Sequence, residues 1–234
     1  MTAIFKREFK AYFTSPLGYL IIAVMALFEG IFFLSILKAG YADNEVVVST
    51  SLMIVTFAVP VLTMRLFSEE RKQKTDQILL TAPVSLWGIA LGKFFSALAV
   101  YALSFAPTFI YEIILTTKLE SLNWMIYFGA LFGCLLYGAA LISVCMFISA
   151  LTESQVVSAV LGIVASIILY MADSFASMTG SVWLVNAVKN VSFMGRYNTF
   201  YLGIIDFSNI VFFVSIAFFF IFLSVRMLEK KRWA

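Results

Sequence analysis

Residues 17–37 form an apolar run broken by a single charge, Glu29, and this run dictates most of what the chain can become. A helix of about twenty such residues reaches across the hydrocarbon core of a bilayer, roughly 30 Å thick. Five further runs follow, at residues 50–64, 94–115, 124–150, 156–171 and 209–225. The pattern predicts an all-α membrane protein of six transmembrane helices, organised as one unit over residues 1–234. With 62% hydrophobic and 12% charged residues, the chain carries more apolar surface than a soluble domain of 234 residues could hide in one core.

Several function classes fall away at once. A formal charge of +3 leaves no electrostatic footprint for nucleic acid. The absence of histidine removes a His-based metal site or general base, and two cysteines do not make a disulfide framework. Cys134 and Cys145 fall on one helix about 16 Å apart, too far to bond to each other, and read as small hydrophobes. Lys6, Arg7 and Lys10 precede a full-length span with no small-residue cleavage site, so the N-terminus reads as a retained anchor.

Along the chain, Phe5, Phe9, Tyr12 and Phe13 recur at helical spacing opposite Lys6, Arg7 and Lys10. This predicts an amphipathic interfacial helix over 1–16, with rings at the headgroups and cations toward anionic lipid. Pro60 lies near the end of the second span and is expected to kink it. The long polar stretch 65–93 then reads as a helical hairpin. Ser68 is its expected N-cap, Glu69 and Glu70 occupy the first turn, Pro83 stops the first helix and Ser85 caps the second. The third span is expected to bend near Pro107. Gly129 and Gly133 form a G-x-x-x-G pair in span four, and Ser158, Gly162 and Ser166 repeat that spacing in span five. Small residues so placed allow close helix approach, within the chain or between two copies. The segment 172–208, with Leu184, Val188 and Val191 at helical spacing, predicts short re-entrant or amphipathic outer helices. Asn190-Val191-Ser192 fits a glycosylation sequon, a tripeptide that arises often by chance. The phenylalanines of span six surround the helix and predict a largely lipid-facing role.

Orientation follows from the basic residues. Of the 16, only Lys38, Lys118, Lys189 and Arg196 fall on one side of a six-span arrangement. The excess on the other side puts both termini, the 65–93 hairpin and the 151–155 link in the cytoplasm.

Three stretches now resemble a known family. They are residues 6–17, KREFKAYFTSPL; then Glu69-Glu70-Arg71 with Thr75, Leu79, Leu80, Pro83, Val84, Ser85 and Gly92-Lys93; and Thr152-Glu153-Ser154-Gln155 with residues 203–206, GIID, and the terminal Arg232-Trp233. Together they resemble the membrane subunits of ABC-2-type ABC transporters, with particular likeness to the gliding-motility and copper-processing permeases. Lys74 departs from the pattern, since relatives often carry glycine there. The resemblance implies a permease in a bacterial plasma membrane, acting as an exporter. It also implies pairing with a second permease, as a homodimer or paralogous heterodimer, and two copies of an ABC ATPase. ATP and magnesium would be held by that partner. The nearest stretch here to a phosphate loop, residues 88–94, is one residue short of the pattern and lacks its hydroxyl. On this reading Glu69, Glu70, Arg71, Thr75, Leu79, Leu80 and Pro83 contact the ATPase, the leucines as an apolar knob and the charges as a polar rim.

Three acids fall within spans. Glu29 sits mid-helix, where a charge costs about 3 kcal/mol on insertion scales, so it is expected to face protein or water, in a transport pathway or in packing. Glu112 and Asp173 are possible pathway residues too, although both are expected at the headgroup boundary. If these carboxylates carried protons, the chain would be an ion-coupled carrier, which predicts inverted repeats that the sequence does not display. A non-transporting scaffold is the third class.

Overall fold

The computed structural model of the chain describes residues 1–40, 44–73, 84–119, 124–178 and 191–232, with Trp183, Val185 and Val188. Thr75, Leu79, Leu80 and Pro83 of the expected hairpin lie outside the described residues, as do Leu184, Lys189 and Asn190. Among the described residues the structure is helical and contains no strand. The elements are α1 (Thr2–Thr14), α2 (Leu17–Ala39), α3 (Asn44–Thr63), α4 (Arg65–Lys72), α5 (Leu86–Ser104), α6 (Ala106–Leu119), α7 (Trp124–Leu151), α8 (Gln155–Met178), α9 (Phe193–Tyr201) and α10 (Phe207–Arg232).

Among the described residues, six helical segments are long and apolar enough to cross a membrane: α2, α3 with α4, α5 with α6, α7, α8 and α10. The chain is therefore a multi-pass membrane protein, as the apolar runs predict. Span four, α7, is the axis of the bundle. Its most apolar window is 67% buried against 17% for α8, so α7 packs on protein while α8 keeps most of its surface for lipid or a partner. Helices α3, α4, α5, α8, α9 and α10 all pack on α7.

Local sequence explains where the long helices bend. Pro60 lies inside α3, where it cannot donate a backbone hydrogen bond, and the helix breaks four residues later at Met64 before continuing as α4. The small residues expected to permit close approach do so within the chain. A methyl group on Gly162 would stand 3.0 Å from Cβ of Pro60, so α8 presses on the kink itself. A methyl on Gly133 would run into Cβ of Phe200, so the G-x-x-x-G face of α7 seats α9. The third span breaks at Phe105, with Pro107 tolerated in the first turn of α6.

One expectation needs correction. Span five does not end at residue 171, because α8 continues to Met178 and carries Asp173 within it. Span six keeps the largely outward-facing character read from its phenylalanines, with 28% of its most apolar window buried; Phe207, Phe218 and Phe219 are exposed, and Phe213, Ile221, Val225 and Leu228 pack in the core. Glu112 of α6 is buried, at 2% exposure.

Candidate functional site

The element that leads into the expected docking segment, α4, is only eight residues long, about two turns of helix, and its first backbone donors need partners from elsewhere. They are found on α7. Ser149 accepts from the backbone N–H groups of Phe67 and Ser68, 3.2 Å each, and donates to the Met64 carbonyl at 3.1 Å. The expected cap, Ser68, lies inside the helix and donates back to the Met64 carbonyl, and Glu69 and Glu70 are not in the first turn. The capping serine comes from a residue 82 positions away, so no local pattern announces it. Ser85, by contrast, caps α5 as expected, accepting from Gly88 N–H at 3.1 Å.

Beside this cap is a buried charge cluster. Lys93 of α5 is 1% exposed, and its ammonium reaches Glu8 of α1 at 3.2 Å, Glu70 of α4 at 2.9 Å and the Leu66 carbonyl at 2.6 Å. It also stands 5.3 Å from the centre of the Phe67 ring. Arg7 adds a second cation, 3.0 Å from Glu70. Burial pushes the Glu8 carboxyl up, but Lys93 and Arg7 outweigh burial and hold it below the ordinary glutamate value. The cluster is thus a charged knot in which each acid has a cation and Lys93 has three acceptors. Because residues 86–104 are helical, the stretch 88–94 is part of α5 and offers no loop to hold phosphate.

Two further contacts extend the knot. Arg71 gives one N–H to the Ala150 carbonyl at 3.1 Å and another to Glu153 at 3.0 Å, tying α4 to the link between α7 and α8. Arg65 donates to Ser15 at 2.7 Å and pairs with Glu69 at 3.3 Å. Helix α1 is amphipathic as its pattern predicts, with Lys6, Arg7 and Lys10 exposed and Phe5, Phe9 and Phe13 stacked in a row. Its other face, unforeseen, is clasped to protein. Tyr12 is 1% exposed and donates to the Leu62 carbonyl at 2.9 Å, just before the α3–α4 break.

Of the residues singled out from sequence, Glu70, Arg71 and Arg7 meet in this region, Glu69 stands at its edge, and Lys6 and Lys10 face outward. Glu8, Lys93 and Ser149 were missed. A signal existed for Lys93, a lone cation in an apolar helical stretch, which by itself argues for buried partners. The three intramembrane acids do not meet here. Glu29 and Glu112 are enclosed elsewhere in the bundle, and Asp173 accepts a hydrogen bond from Ser192, the residue that caps α9.

With this geometry described, comparison with known proteins gives one finding. Residues 2–190 match the family described as ABC-2 family transporter protein, a stretch that includes α1, the whole knot and five of the six spans. The chain belongs to the ABC-2 transporter family. No match is found among curated proteins. As an ABC-2 permease the chain is a transport subunit of the membrane, and membership implies partnership with an ABC ATPase. The match is to the family at large and does not separate the gliding-motility or copper-processing kind from the rest.

Proposed function

We propose that this permease is the membrane half of an ABC exporter, driven by a separate ATPase that docks on the 65–93 segment at the cytoplasmic face. In this reading both termini are cytoplasmic, two permease chains pair as homodimer or paralogous heterodimer, and two ATPase subunits hold the ATP and magnesium. Thr75, Leu79, Leu80 and Pro83 contact the ATPase, and Glu69, Glu70 and Arg71 belong to α4, which precedes them in the chain. The observation that carries the reading is the attachment of α4. A partner moves a permease only through differential contact with its states, and α4 is bonded to α1, α5, α7 and the α7–α8 link through Lys93, Ser149 and Arg71. A displacement of α4 therefore reaches four other elements without crossing the bundle core, and the Pro60 break lets α4 tilt against α3.

The test separates docking from transmission. The double change Leu79→Asp, Leu80→Asp should abolish co-purification with the cognate ATPase while the permease still inserts. Lys93→Gln should keep the ATPase bound yet lose permease stimulation of ATP hydrolysis. Undiminished co-purification of the leucine double variant would remove the docking role, and full stimulation with Lys93→Gln would remove the transmitting role of the knot.

A further inference from the structure

One face of α2 is buried, and it carries Gly18, Ile21, Met25, Glu29, Phe33 and Ile36. All but one of these pack as a membrane helix should. Glu29 is 0% exposed, and neither of its carboxyl oxygens has a hydrogen-bond partner. No lysine or arginine among the described residues pairs with it.

What surrounds this carboxyl is polar but neutral, with one exception. From α6, Tyr111 lies within electrostatic reach and spends its hydroxyl on the Ala26 carbonyl at 3.2 Å. From α7 come Tyr127, which shares a hydrogen bond with Thr108 at 2.7 Å, and Cys134, whose sulfur stands 3.3 Å from the Tyr101 hydroxyl of α5. From α3, which packs on α2, residues 48–63 bring no charged or titratable side chain. The exception is Glu112 of α6, also buried and, like Glu29, within electrostatic reach of Tyr127. Among the described residues the setting thus offers a second acid and no cation. An ionised carboxylate enclosed in this way lacks both donors and countercharge, and a bound proton removes the penalty.

We propose that Glu29 is a proton-binding site inside the membrane, holding its proton while α2 is packed on α3, α5 and α6 and releasing it to water when that contact opens. The balance between closed and open bundles then depends on pH through this one group. The proposal goes beyond the docking reading and does not rest on it, since it concerns the permease without its ATPase.

The experiment uses the full-length permease in lipid nanodiscs, titrated from acid to alkaline pH and followed by infrared spectroscopy. A carboxylic-acid C=O band should be present at neutral pH, absent in Glu29→Gln and retained in Glu112→Gln. A hydrophobic carbodiimide, which reacts with protonated carboxyls, should label Glu29 in the wild type. The yield should fall about tenfold per pH unit once the acid begins to ionise. If Glu29→Gln does not accumulate, Glu29→Asp keeps an acid at the position and assigns the band by shifting it. A neutral-pH spectrum with no acid band assignable to position 29 overturns the proposal, as does a labelling yield at Glu29 that is flat with pH.

Discussion

The knot at Lys93 and the enclosure around Glu29 solve the same problem in opposite ways. Both bury ionisable groups that cost free energy away from water. At the knot, Lys93 meets Glu8, Glu70 and the Leu66 carbonyl, so every charge is compensated and the elements that carry them are fixed relative to one another. Around Glu29 the neighbours are hydroxyls, a thiol and another acid, and its two oxygens have no donor. A compensated cluster resists being pulled apart because each separation strands a charge. An uncompensated acid instead favours whichever conformation lets it meet water or a proton. On the readings proposed above, the first kind of site transmits force and the second kind senses its surroundings.

The comparison can be broken most directly at Lys93. Lys93→Met leaves Glu8 and Glu70 confined together and should destabilise the permease by about 3–5 kcal/mol, read as a fall in its thermal unfolding temperature in detergent. Adding Glu8→Gln and Glu70→Gln to that variant should recover most of the loss, which would show that stranded charge and not lost packing is responsible. Next in size is Ser149→Ala, which strips the backbone N–H groups of Phe67 and Ser68 of their acceptor. It should cost about 1 kcal/mol and raise hydrogen exchange in α4 while leaving α7 protected.

Glu29→Gln should cost under about 1 kcal/mol, because glutamine is a neutral match in shape for a protonated glutamate. A loss as large as that at Lys93 would mean that the enclosed acid is ionised and paired, and the contrast between the two regions would vanish. Acidification sharpens the contrast from the other side. The Glu8 carboxyl is held below its ordinary value, so its contribution is complete at neutral pH and is lost as pH falls through the lowered value. Thermal stability should decline over that acid range in the wild type, and Glu8→Gln should flatten the decline. The smallest effect belongs to Glu153→Ala. The Glu153 side chain is 77% exposed, so breaking its pair with Arg71 should change stability by less than about 0.5 kcal/mol in a denaturation assay.

How much of this was legible beforehand depends on the range of the interaction. The spans, the Pro60 and Pro107 bends and the Ser85 cap follow from residues within a few positions of one another, and each is found in the structure. The inward placement of Glu29 was legible too, because its cost in lipid forces it toward protein. Ser149 was not, since Ser68 offers a local cap and the serine that supplies it is far along the chain. Glu8 was hidden for a related reason. The phenylalanine stripe and the cations of α1 explain that helix as a membrane-surface element, and only the position of Lys93 shows that its remaining face is taken.

The ammonium of Lys93 and the carboxyl of Glu8 are contributed by residues 85 positions apart, and the serine beneath α4 comes later still. During synthesis, then, the first two spans and the elbow before them leave the ribosome with Glu8 and Glu70 still lacking their Lys93 partner. They gain their final arrangement only when the fourth span has been delivered. Assembly of this end of the protein is ordered by translation, and its last-made part locks what was made first.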